Sequence, residues 1–198
     1  ELYKQLNKVL ASEKKYNFEF IMVEHGSKDS TFQKLLNLNK YDKRVKIIQL
    51  SKNFGNADAG IAAGLNYATG HAAVITMADL QEPPEVIIKF LRKWEEGYEI
   101  VYGIINQRAD SSYLRKIYSL IYYKILNMLT GNIFPKNVSD FRLIDKKVYE
   151  EINKMEERNK FLRGMIIWTG FKQAGILFNR KARFAGNSKA DFLTVLKV

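Results

Sequence analysis

Between residues 18 and 105, short apolar runs alternate with helix-like stretches, and several of the runs stop abruptly in a polar loop. Phe18–Val23 reads as a buried strand, followed by Glu24-His25-Gly26-Ser27-Lys28-Asp29; Ser30 and Thr31 then cap a helix over Phe32–Leu38. Val45–Leu50 is a second strand with the exit loop Ser51-Lys52-Asn53-Phe54-Gly55, and Ala57–Ala68 is a helix of small residues closed by Gly70. His71–Met77 is a third strand, left through Asp79-Leu80-Gln81-Glu82-Pro83-Pro84. Pro84 sits near a helix start, where its missing N–H costs least, and that helix runs to Trp94. Ile100–Ile104 is a fourth strand. With an amphipathic helix over Leu2–Leu10 in front, this alternation argues for an α/β fold: a doubly wound, mostly parallel sheet flanked by helices. Such sheets bind ligands beyond the carboxyl ends of their strands. The loops after Val23, Leu50 and Met77 all fall at that edge.

Beyond residue 105 the pattern changes. Ser112–Leu129 reads as a long amphipathic helix stopped by Gly131, Phe141–Ile144 as a short apolar piece and Lys146–Met155 as a further helix. The tail is strand-like and then basic, from Phe178 to Lys189. In the long helix Tyr113, Tyr118, Tyr122 and Tyr123 stand beside Arg115, Lys116 and Lys124. That mixture suits a membrane interface or, equally, a core helix with polar edges.

Composition narrows the chemistry. The chain has no cysteine, which removes disulfides, thiolate nucleophiles and cysteine metal clusters. Its 198 residues suit one domain, and a net charge of +11 favours polyanionic partners such as nucleic acid, lipid headgroups or phosphorylated small molecules. The basic residues spread along the chain instead of gathering on one recognition element, which argues against a nucleic-acid-binding module. Neither G-x-G-x-x-G nor G-x-x-x-x-G-K-[ST] occurs, which argues against the common dinucleotide and P-loop classes. No apolar run approaches the roughly 20 residues that cross a bilayer. The longest, Ile117–Leu129, is broken by Ser119, Lys124 and Asn127.

Two loops carry candidate chemistry. Asp79 and Gln81 offer a carboxylate and an amide oxygen two residues apart, hard donors that suit Mg²⁺ shared with phosphate; Asp79 would equally serve as a helix N-cap. The acidic groups of Glu24–Asp29 would accept hydrogen bonds from a base or ribose, or Asp29 would simply cap the next helix.

Read together, these loops resemble a known family. Val23-Glu24-His25-Gly26-Ser27-Lys28-Asp29-Ser30-Thr31 is similar to the V-D-D-G-S-x-D-x-T loop of family 2 glycosyltransferases, and Leu50-Ser51-Lys52-Asn53-Phe54-Gly55 to their L-S-R-N-F-G segment. Ala59–Leu65 resembles the small-residue helix that follows, and Met77-Ala78-Asp79-Leu80-Gln81-Glu82-Pro83-Pro84-Glu85 resembles D-A-D-L-Q-x-P-P-E. Asp140-Phe141-Arg142-Leu143, Arg158–Gly164 and Arg183–Lys189 extend the likeness toward the branch acting on polyprenyl phosphates, which includes dolichyl-phosphate mannose synthases.

The resemblance implies a GT-A-type fold and transfer of a sugar from a nucleotide diphosphate sugar to an undecaprenyl-type phosphate. That reaction belongs at the cytoplasmic face of the cell membrane. It implies donor binding by Glu24, Ser27, Asp29, Lys52 and Asp79, with Mg²⁺ or Mn²⁺ held by Asp79 and Gln81. Asp79 and Arg115 become the catalytic candidates, and Arg108, Arg115, Ser119, Arg180, Arg183 and Ser188 the acceptor-phosphate candidates. Arg115 and Ser119 are four apart, on one helical face, and arginine grips phosphate through two parallel bonds. The implied partners are the nucleotide sugar, the lipid phosphate and the membrane surface, with no nucleic acid and with a homo-oligomer left open. A rival within the family is transfer to a sugar hydroxyl, which requires a carboxylate base; Asp110 and Asp140 are the candidates.

Three departures accompany the likeness. The family's first strand, with P-x-Y-N-E, has no counterpart, so a break or a replacement strand is expected in mid-sheet. The chain ends at Val198, where the branch continues into membrane helices, so residues 1–198 read as one catalytic domain cut from a longer protein. Met77 replaces the first aspartate of D-x-D, and Glu24-His25 replaces Asp-Asp. A thioether is a poor ligand for Mg²⁺ or Mn²⁺, so the ion would rest on Asp79, Gln81, diphosphate and water.

Overall fold

The computed structural model describes residues 1–108, 137–157 and 160–182, with backbone alone at 107 and 108. The helix expected over Ser112–Leu129, and with it Asp110, Arg115 and Ser119, lies outside the described residues, as do Arg183 and Ser188.

Helix α1 (Leu2–Leu10) leads into strand β1 (Phe20–Glu24), α2 (Thr31–Tyr41) and β2 (Val45–Gln49). The right spacing of apolar residues explains α1, which buries Leu6 and Leu10. β1 and β2 pair in parallel from Phe20 opposite Val45 to Glu24 opposite Gln49, so their exit loops leave side by side. Next come α3 (Ala57–Asn66), β3 (Ala72–Ile75), α4 (Val86–Glu95) and β4 (Ile100–Arg108). The Asn56 side chain caps α3 by accepting from Ala59 N at 3.2 Å. Small residues let α3 lie close on β1: a Cβ on Gly64 would stand 3.4 Å from Val23.

The remaining elements are β5 (Val138–Asp145), α5 (Lys146–Lys154), α6 (Leu162–Trp168) and β6 (Gln173–Arg180). The apolar piece Phe141–Ile144 is the middle of β5, an eight-residue strand inserted between β3 and β4 in the order β3-β5-β4-β6. β5 runs antiparallel to both neighbours, while β4 and β6 are parallel, so the sheet is more mixed than the helix–strand alternation suggests. A strand covered on both faces has no polar/apolar alternation to announce its length, and Ser139, Asp140 and Arg142 masked it further. Helix α6 was not evident from the sequence.

Among the described residues no ladder joins the β1–β2 pair to the four-stranded sheet. One core nevertheless runs under both sheets: Leu6, Leu10, Phe20 and Val45 pack with Phe90, Leu91, Phe141 and Phe178. On the opposite face α3, α5 and α6 bury Leu65, Val148, Tyr149, Ile152 and Ile166 against Ile75, Ile100 and Ile144. Helices thus cover both faces of the sheets, and the carboxyl ends of the strands are where such a sheet takes a ligand.

Candidate functional site

The first cluster is built from the exits of β1 and β2. Leu50 N donates to Glu24 O at 2.9 Å, which holds the two exits together. Gly26 turns the β1 exit with φ of +68°, and a Cβ there would meet the backbone of Lys52 and Asn53 at 2.5 Å. Only glycine allows that approach. His25 stacks on Phe54 with centroids 6.0 Å apart, its Nε2 accepts from Phe54 N at 3.1 Å, and Lys52 Nζ stands 5.2 Å from the same Phe54 ring.

Glu24, Ser27, Asp29 and Lys52 are therefore gathered in one pair of loops, with Glu24 buried and the others exposed. Glu24 Oε1 accepts the backbone N–H of Ser27, and this bond holds the carboxyl below the usual carboxylate range. Its Oε2 is buried with no hydrogen-bond partner among the described residues. Asp29 Oδ1 accepts from Thr31 N at 2.9 Å, so Asp29 opens α2 where Ser30 makes no side-chain cap.

The second cluster forms where β3 ends. Asp79 Oδ1 accepts from Gln81 N at 3.2 Å, an Asx-type turn, and Leu80 takes the left-handed φ of 59°. α4 begins only at Val86, so Asp79 caps no helix. The loop is zipped to the end of β6: Lys181 N donates to Gln81 O at 3.0 Å, and Gln81 Nε2 donates to Lys181 O at 3.3 Å. The β4–β6 register sets the Arg108 backbone opposite that of Arg180. Asp79, Gln81, Arg108 and Arg180 thus share one end of the four-stranded sheet, while Glu24 and Lys52 share the end of the β1–β2 pair.

Glu82 was not singled out by the sequence reading, yet it anchors the second cluster. It is 2% exposed, and Oε2 accepts from Met77 N at 3.0 Å and Thr76 Oγ1 at 3.2 Å. Oε1 accepts from Ser139 Oγ at 2.7 Å, tying the β3 exit to the start of β5. Burial pushes its carboxyl above the usual range, against the opposing pull of the Ser139 hydroxyl and the Arg180 charge. Arg180 Nε is itself buried and, among the described residues, without a hydrogen-bond partner.

A third group joins two of the family-like motifs, which the sequence did not pair. Arg163 on α6 donates to Asp140 Oδ1 from Nε at 3.1 Å and Nη2 at 2.7 Å. The buried Arg142 donates to the carbonyls of Ser139 and Asp140. Asp58 on α3 has its carboxyl raised, by burial first and by the Asp140 charge second. Asp140, the alternative base candidate, thus spends an oxygen on a bidentate-donor arginine.

The profile described as glycosyl transferase family 2 matches residues 1–153, a stretch that contains all three exit loops. The chain belongs to that family. Among its relatives, the Bacillus subtilis (strain 168) protein named uncharacterized glycosyltransferase YkcC is 40% identical over all of this chain and 61% of its own length. The bactoprenol glucosyl transferase of Shigella phage SfX is 34% identical over 89% of this chain and 57% of its own length. The chain therefore spans somewhat over half the length of these relatives. In structure it is similar to Staphylococcus aureus TarS 1–349, with a TM-score of 0.50 at 13% identity over 91% of this chain and 56% of that one. That likeness agrees with the GT-A-type α/β fold. Among its described residues no helix is long and apolar enough to cross a membrane.

Proposed function

We propose that this chain is the catalytic domain of a transferase that moves a sugar from a nucleotide diphosphate sugar to a polyprenyl phosphate at a membrane face. The observation that carries the reading is the zipped junction of Asp79-Leu80-Gln81 with Arg180-Lys181, which joins a carboxylate loop and a cationic segment at one sheet end. The similarity over 89% of the chain to a bactoprenol glucosyl transferase supports the acceptor class. The gathering of exposed Ser27, Asp29 and Lys52 around the paired β1 and β2 exits supports a donor site there.

In the proposed reaction an acceptor phosphate oxygen attacks the anomeric carbon, the new C–O bond forms, and the bond to the diphosphate breaks with its electrons leaving on the nucleoside diphosphate. A phosphate monoester with a second pKa of about 6 is largely ionised at neutral pH and needs no side-chain base. The pairing of Asp140 with Arg163 agrees with that economy. Arg108, Arg115, Ser119, Arg180, Arg183 and Ser188 are the proposed acceptor-phosphate groups, and Arg180 also stands beside the leaving-group loop. Cations aimed at developing charge lower the barrier most.

Mg²⁺ or Mn²⁺ fits this loop in one form. Among the described residues no three His, Cys, Asp or Glu gather, but Asp79 and Gln81 suffice for an ion that completes its shell with diphosphate oxygens and water. Bound there, the ion would neutralise the departing diphosphate.

The test is transfer from a panel of nucleotide sugars to undecaprenyl phosphate and, in parallel, to free oligosaccharides. Product is expected only on the lipid phosphate, with Asp79→Ala inactive. Arg115→Ala should lower lipid use by about one to two orders of magnitude, the weight of a charged hydrogen bond, while sparing donor binding. Transfer to the oligosaccharide alone, abolished by Asp140→Asn, would overturn the acceptor assignment.

A further inference from the structure

We propose that His25 is a positioning residue that latches the Lys52–Gly55 loop onto the β1 exit in its neutral form only, so that donor binding weakens when it is protonated. This rests on reading the two exits as the donor site. The ring is fixed on three sides. Nε2 lies 3.1 Å from Phe54 N, a group that can only donate, so Nε2 must carry a lone pair and the proton must sit on Nδ1. Nδ1 faces α3, where a Cβ on Gly60 would be 3.7 Å away. The ring face stacks on Phe54 at an interplanar angle of 27°.

Protonation of Nε2 converts the acceptor into a donor facing a donor. It also sets an imidazolium beside a Phe54 ring that already carries the Lys52 ammonium at 5.2 Å. The donor–donor clash and the repulsion between the two cations push the loop away, against a cation–π attraction of the imidazolium to the ring. The charged groups of the elements packed around His25 are Glu24, Lys28 and Asp29 on its own loop, Lys52 on the β2 exit and Asp58 on α3. Two of the carboxylates are engaged elsewhere, Glu24 with Ser27 N and Asp29 with Thr31 N, and burial pushes the Asp58 carboxyl up.

The experiment follows the Phe54 amide and the His25 ring by NMR across about pH 5 to 8, the range where histidine changes charge. It uses the full chain and the His25→Gln and His25→Ala variants. In parallel, affinities for UDP, GDP, CDP and ADP, each with MgCl₂, are measured at both pH limits. In the unchanged protein the Phe54 amide should lose protection as the ring titrates, and affinity for the diphosphate that binds should fall about three- to tenfold, the weight of one hydrogen bond. His25→Gln, an acceptor at every pH, should be flat and tight; His25→Ala should be flat and weak. A Phe54 amide indifferent to the titration of the ring, or the same pH response in His25→Gln, overturns the latch. If none of the four diphosphates binds at any pH, the donor-site reading falls, while the amide response alone decides the latch.

Discussion

Glu82 gathers donors from two strands with a carboxylate that water scarcely reaches. Removing it in Glu82→Ala strands Met77 N–H, Thr76 OH and Ser139 OH without their acceptor, at an expected cost of about 2–4 kcal/mol in urea unfolding. Its pH dependence has a definite direction. Because burial raises the folded-state pKa above the ordinary value of about 4.3, the fold favours the protonated form. The group's contribution to stability is then full below that ordinary value and declines as pH rises through the raised one. Glu82→Gln cannot ionise and can donate its amide to Ser139 Oγ. Its stability relative to the unchanged protein should therefore improve from acid to neutral pH in thermal melts; a constant difference would mean that Glu82 is not held protonated. Asp79 was legible because an acidic residue ends an apolar run. Glu82 stood in the same motif without distinction, since nothing in a linear sequence says which of two nearby carboxylates turns inward.

Strand exits set the functional geometry, and two glycines control them. At Gly26 the left-handed φ of +68° and the 2.5 Å approach to Lys52 and Asn53 backbone leave no room for a methyl group. Gly26→Ala should lose about 1–3 kcal/mol in urea unfolding and weaken nucleotide binding together, because the β1 and β2 exits must separate. Gly103 is different in kind: its missing side chain is filled by the Phe178 ring, 2.6 Å from an added Cβ, so its constraint is on the β4–β6 pair that delivers Arg180. The Gly26 turn was readable from its place in a loop after a strand. The Gly103 contact was not, because its partner lies 75 residues away in sequence.

The whole chain carries +11 of formal charge, and an ionised lipid acceptor would draw it to an anionic surface. Sedimentation with vesicles should therefore show binding to anionic but not to neutral lipid, released by raising salt. Equal binding to both kinds of vesicle would point to apolar insertion and not to charge. Tyr41, Tyr67, Trp168 and Leu177 are among the exposed large apolar residues that would make that outcome understandable.

The order of elements through β4, the GT-A-type α/β class and the exit loops around Glu24, Lys52 and Asp79 were determined by the sequence itself. Strand and helix periodicity, glycine turns and motif spacing are local properties, written within a dozen residues. Tertiary structure alone decided that β5 enters antiparallel between β3 and β4. It also decided that Gln81 meets Lys181, that Ser139 meets Glu82, and that Arg163 takes Asp140. Each of these depends on which distant backbone closes the space beside a strand, and burial and charge pairing across that space are settled only when the chain is packed.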